Sequence, residues 1–212
     1  MKAIHELPEN YEDISHIHIS KNKKSALVVN LTAAGIALIM ILMTHLIVPL
    51  SSLIPEGSGA ASLFARVAVL IPSIFLYVIM HEVIHGVGMK LLGCEQLNYV
   101  FSGFYISAGC RDFFRKNTFL LIDLAPVVLI GILLNVICFL VPISWFWVFY
   151  VLQIINIAGA SGDYYIAYHL FAHDGDVLVR DAGTYIIVYG KAKRTETETP
   201  TEDEHTVEET EE

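Results

Sequence analysis

Charge is scarce in this chain, and much of it sits at one end. Charged residues make up 17% of the sequence and hydrophobic ones 55%, too apolar a mix for an ordinary soluble protein. Nine of the 22 acidic residues fall in Thr195–Glu212, a stretch with no Lys or Arg. The remaining body sets 13 acidic residues against 13 basic ones. A neutral body argues against nucleic acid, and against anionic partners generally. Cysteine is nearly absent. Cys94, Cys110 and Cys138 are odd in number, lack CxxC spacing, and include one inside an apolar run. They read as neither a disulfide framework nor a thiolate zinc site. No cleavable leader is expected, because the first 24 residues are polar and the first apolar run is too long for one. No internal repeat is visible.

What the chain has instead is long apolar runs. Ala26–Leu50, Leu63–Leu92, Thr118–Val141 and Trp145–Leu170 each reach the ~20 residues that cross a hydrocarbon core. Turn and stop signals separate them: Pro49 with the Ser/Gly-rich Ser51–Ala60, then Gly93, then Pro142-Ile143-Ser144. Trp145 and Trp147 suit an interfacial belt. Leu97–Ala108 reads as a short hairpin or re-entrant piece, and Asp176–Tyr189 as a small hairpin around Asp181-Ala182-Gly183. The expected fold class is an all-α membrane protein: four transmembrane helices, a short β-hairpin insertion and a small cytoplasmic C-terminal hairpin. The expected organisation is a cytoplasmic segment over 1–25, a transmembrane domain over 26–171, the hairpin over 172–194 and a disordered acidic tail over 195–212.

Basic residues set the sidedness. Lys21, Lys23 and Lys24 precede the first run, and Arg111, Arg115 and Lys116 lie between the second and third. Arg180, Lys191, Lys193 and Arg194 follow the fourth, whereas the opposite loops hold only Arg66, at a span end. The positive-inside rule then places both termini in the cytoplasm, in a multi-pass cell-membrane protein.

The second run carries His81-Glu82-Val83-Ile84-His85. On a helix, positions i and i+4 share a face, so both imidazoles can hold one metal ion with Glu82 beside them. The second and fourth runs cross in the same direction. His81 and His85 lie roughly 18 and 22 residues into one, and Asp163 about 18 into the other, depths that agree within about one turn. Asp163 is therefore the expected third ligand. Three protein ligands and an open position describe a catalytic zinc site. Ionisable groups inside a span cost at least about 2.5–3.5 kcal/mol each on insertion scales, so four at one depth are rarely idle. Glu82 is placed as general base and then acid. Asn156, two helical turns before Asp163, is the candidate oxyanion donor, with Asn135 a weaker one. The backbone around Gly159–Gly162 is a place for local opening.

Other polar residues have plainer readings. His16 and His18 suit a surface strand edge, His45 a hydrogen-bonded packing position, and Asp123 the favourable start of a helix more than a support for a ligand histidine. The rival to hydrolysis is a non-catalytic membrane protein in which metal holds the spans together.

Several of these motifs together resemble a known group. His81-Glu82-Val83-Ile84-His85-Gly86, then Leu124-Ala125-Pro126, then Asn156-x-x-Gly159-x-Ser161-Gly162-Asp163, and a hairpin with Asp181 ending in Tyr189 resemble the small zincin peptidase family of bacterial membrane proteins. They are similar more broadly to site-2 protease intramembrane metalloproteases. The likeness covers roughly 26–190. It implies His81, His85 and Asp163 as Zn²⁺ ligands, Glu82 as the catalytic residue, and a membrane-associated peptide or protein as substrate. One departure stands out. Site-2 proteases carry their Asp in an Asn-Pro…Leu-Asp-Gly context, where this chain has Ser161-Gly162-Asp163-Tyr164.

Overall fold

The apolar runs form helices whose outward faces stay uncovered by protein. The computed structural model describes residues 2–19, 21–54, 59–101 and 106–192. In order come β1 (Tyr11–Ile17), α1 (Lys23–His45), α2 (Ala60–Leu91), β2 (Leu97–Phe101) and β3 (Ile106–Cys110). Then follow β4 (Phe114–Arg115), α3 (Lys116–Leu140), α4 (Ile143–Gly159), α5 (Ser161–Ala172), β5 (Leu178–Asp181) and β6 (Ile186–Lys191). Asn22 caps α1, its side chain accepting from the Lys24 and Ser25 amides. Helices α1, α2, α3 and the α4–α5 pair are each long and apolar enough to cross a membrane. Leu31, Ile39, Phe75, Leu133 and Phe139 point outward and exposed, a surface that lipid would cover. Inward, Ile130, Leu134 and Leu152 pack with Leu70, Ile74 and Tyr77.

The fourth run is two helices rather than one. Helix α4 stops at Gly159, Ala160 forms the joint, and α5 begins at Ser161. This is where the Gly/Ser-rich sequence suggested local opening. The joint gives Asp163 the first turn of α5, a position that favours a carboxylate.

Strands account for more of the chain than the all-α expectation allowed. The Leu97–Ala108 hairpin is present as the antiparallel pair β2–β3. The C-terminal hairpin is also present, as β5–β6, but it is the middle of a four-stranded sheet ordered β1-β6-β5-β4. The N-terminal segment is its edge, with Tyr11 opposite Lys191 and Ile17 opposite Ile186. Alternation in β6 explains its uniform burial. Ile186 and Val188 face the core formed with Phe114, Phe119, Ile122 and Leu170, while Ile187 and Tyr189 pack with Phe113 and Leu178. The sheet thus closes one end of the helix bundle. The acidic tail expected over 195–212 lies outside the described residues.

The reading of the cysteines is corrected. Cys94 and Cys110 form a disulfide, and only Cys138 is free. Gly93, at φ 99°, turns the chain out of α2, and the β2–β3 hairpin brings Cys110 back to Cys94. The bond ties the end of the HExxH helix to the end of β3.

Candidate metal centre

His81 and His85 occupy successive turns of α2, each 9% exposed. Their Nε2 atoms face each other at 3.2 Å. His85 Nδ1 lies 3.1 Å from the Ile122 carbonyl of α3. A carbonyl only accepts, so Nδ1 carries the proton and Nε2 of the neutral ring carries a lone pair. The sequence explains why that carbonyl is free. In an α-helix Ile122 would accept from residue 126, which is proline and has no N–H to give. Pro126 therefore exposes the oxygen that orients His85. On the other ring, Tyr77 Oη lies 3.3 Å from His81 Nδ1, one turn earlier on α2.

Asp163 arrives from α5. Its Oδ2 is 3.3 Å from His81 Nε2 and its Oδ1 4.0 Å from His85 Nε2. Oδ2 is buried and makes no hydrogen bond among the described residues, an arrangement that is costly without a partner. Two ligand atoms bound to one zinc at tetrahedral angles stand roughly 3.3 Å apart, given bond lengths of about 2.0–2.1 Å. The 3.2 and 3.3 Å separations that His81 Nε2 makes with the other two side chains fit that figure, and the 4.0 Å one between His85 and Asp163 is wider. Lone pairs converge and one carboxylate oxygen is orphaned, so the residues present fit a zinc ion.

Glu82 also lies close, with donor atoms of His81, Glu82 and His85 all within 4.8 Å of one another. Its Oε2 is already occupied, accepting the Ala108 amide of β3 at 2.9 Å. The hairpin is pressed against α2 at this point. A side chain at Gly86 would meet the Tyr99 hydroxyl, so the glycine leaves room for that ring against α2.

A cavity of about 370 Å³ opens beside these groups. Glu82 and His85 line it from α2, Ile106, Ser107 and Ala108 from β3, Asp123 from α3 and Asp163 from α5. The β5–β6 turn closes it with Asp181 and Gly183. Helices α2, α3 and α5 and the cap sheet thus share one chamber. The Ser107 hydroxyl there is buried without a partner among the described residues.

The structure brings His81, Glu82, His85 and Asp163 together but leaves Asn156 elsewhere. Asn156 is fully buried and does not line the cavity. Its amide donates to the Val127 carbonyl at 3.0 Å, in space left by Gly131. It reads as a cross-link between α4 and α3, so the oxyanion role expected for it gains no support. Asp123 is not the hydrogen-bond partner of His85, because the Ile122 carbonyl holds that position. His16 and His18 stack around Tyr185. A second cluster, Cys94, Cys110 and Asp112, is committed otherwise: the cysteines are bonded, and Asp112 accepts from the Glu95 amide.

Sequence reasoning missed Asp181, the Ser107 hydroxyl and the Ile122 carbonyl. Only the last left a trace, a proline four residues downstream in an apolar helix. Asp181 caps its own turn, accepting the Gly183 amide at 2.7 Å, with Gly183 at φ 81°. Burial pushes its carboxyl up to about 7, the Gly183 hydrogen bond pulls it back, and the charges of Glu82 and Asp163 raise it further. The folded pKa exceeds the unfolded one, so the stability contributed by the neutral acid is full below about pH 4. It is lost as pH rises toward 7. In chelated protein, Asp181→Asn is therefore expected to melt at the same temperature as the parent near pH 4 and several degrees higher at pH 8.

Residues 74–177, just under half of the chain, match the model of a family described as "Putative zincin peptidase". That stretch runs from the middle of α2 to the edge of β5 and contains His81, Glu82, His85 and Asp163. No curated protein and no solved structure matches the chain. The family match supports a metallopeptidase, and the four apolar helices are consistent with a membrane protein.

Proposed function

We propose that this chain is an intramembrane zinc metallopeptidase of the site-2 protease type, hydrolysing peptide bonds of membrane-associated substrates. The observation that carries the proposal is the meeting of two imidazole nitrogens and an unpartnered carboxylate from separate helices, 3.2–4.0 Å apart. In this reading His81, His85 and Asp163 hold the metal. A bound zinc ion supplies Lewis acidity, which acidifies water and polarises a carbonyl. Glu82, fixed by the Ala108 amide, accepts the proton from water and returns it to the departing amine. The Ser107 hydroxyl, which lines the chamber with no partner among the described residues, is the candidate donor for the developing oxyanion.

The charge bias places both termini, and with them the cap sheet, in the cytoplasm. The Cys94–Cys110 bond falls on that same side, where reducing conditions work against it. Ten basic residues flank the runs on that side against Arg66 alone on the other, a bias that outweighs one cysteine pair. Protease accessibility of the C-terminus in intact cells tests it.

Protein purified in lipid nanodiscs is expected to contain one zinc per chain and to cleave unstructured apolar peptides. A chelator should remove both zinc and cleavage while helicity persists, because the bundle and the cap pack through apolar residues. Unfolding on chelation, with no hydrolysis beforehand, would instead establish a structural metal.

A further inference from the structure

The chamber beside the metal centre carries an acid balance that the proposed chemistry does not use. Its lining holds Glu82, Asp123, Asp163 and Asp181, and no Lys or Arg among the described residues. A divalent ion would answer Asp163 and Glu82. Asp123 and Asp181 remain. Asp123 is 4% exposed, and its Oδ2 is buried with no hydrogen-bond partner among the described residues. Neighbouring cations are engaged away from it. Lys116 Nζ donates to the His173 carbonyl. Arg180 lies over the Phe113 ring, on the strand face opposite to its neighbour Asp181. An anionic carboxylate buried without a partner is expensive, and a charge-assisted hydrogen bond from a ligand would relieve that cost.

We infer that Asp123 and Asp181 form a cation subsite that receives an ammonium or guanidinium group of the peptide substrate. The identity of the ligand as a peptide rests on the metallopeptidase reading. The placement explains why an acid from α3 and an acid from the β5–β6 turn, far apart in sequence, line one cavity. It also gives the cap sheet a part in selection, since Asp181 comes from the sheet and Asp123 from the bundle. A substrate cation would bridge the two layers as it docks.

The test is binding rather than turnover. Full-length Glu82→Gln protein in nanodiscs is titrated with fluorescent peptides that differ at one position, Lys, norleucine or Glu, each with a free or acetylated N-terminus. A cationic peptide is expected to bind about tenfold or more tightly than its norleucine partner, as a charge-assisted hydrogen bond allows. The Glu peptide should bind worst. A preference that follows the side chain places Lys or Arg in the subsite, and one that follows the free N-terminus places the terminal ammonium there. Adding Asp123→Asn or Asp181→Asn should shrink the preference, and both together should remove it. Either single variant suffices if the other fails to fold.

Equal binding of all the peptides would overturn the inference. So would two zinc ions per chain falling to one in the double variant, which would make the acids a second metal site. The two proposals fail separately. A cation preference with no hydrolysis by the parent protein removes the peptidase reading alone, whereas hydrolysis without preference removes the subsite alone.

Discussion

Glu82→Gln is expected to lower peptide hydrolysis by at least about a thousandfold while zinc content stays at one per chain. General acid–base catalysis contributes typically 10²–10⁴-fold, and here one group serves both proton transfers. The substitution is informative because of what it keeps. Glutamine has the same length, and its amide oxygen can still accept the Ala108 N–H that now holds Oε2 at 2.9 Å. The β2–β3 hairpin therefore stays against α2, and the shape of the chamber is preserved. What disappears is only the capacity to take up a proton. Rates measured per bound zinc, with circular dichroism as a control, separate chemistry from folding. Undiminished activity would remove Glu82 from the mechanism. Lost zinc would mean that Glu82 is itself a ligand.

The parts of the centre legible in the sequence are those set by one helix or by depth. HExxH needs only the 3.6-residue period to place two imidazoles together. Asp163 followed from counting residues into parallel spans. The hairpins followed from composition and turn residues. What stayed hidden depends on contacts between distant segments. Pairing of Tyr11–Ile17 with Ile186–Lys191 joins the two ends of the described chain, and no local pattern announces it. Asp181 looked like an ordinary turn residue, because nothing in Asp181-Ala182-Gly183 says that the turn lines a cavity shared with the helices. Asn156 misled for the opposite reason. A polar residue two turns from a ligand suggests a catalytic donor, yet the close approach permitted by Gly131 spends its amide on the Val127 carbonyl. The cysteines failed as a framework by count, while Gly93 and the hairpin brought two of them together.

Asp163→Ala is expected to cost zinc affinity far more than Pro126→Ala, and the contrast tests which carboxylate is the third ligand. Both Glu82 and Asp163 are near enough to the imidazoles to compete for that place. Their hydrogen bonds decide between them: Glu82 Oε2 already accepts an amide, whereas Asp163 Oδ2 is buried with nothing to accept. Removing Asp163 should weaken zinc binding by more than the about 10–100-fold that follows loss of an outer-shell partner. Pro126→Ala works through such a partner. It returns an N–H to residue 126, which then competes with His85 for the Ile122 carbonyl. Affinity should fall about tenfold, even though alanine suits a helix interior better than proline by up to about 3 kcal/mol. A purely structural role for Pro126 predicts a change in melting temperature and no change in zinc affinity. Competition against a chromophoric chelator, with melting of the chelated proteins alongside, measures both quantities. Wild-type affinity in Asp163→Ala would hand the third position to Glu82 and leave the centre without its base.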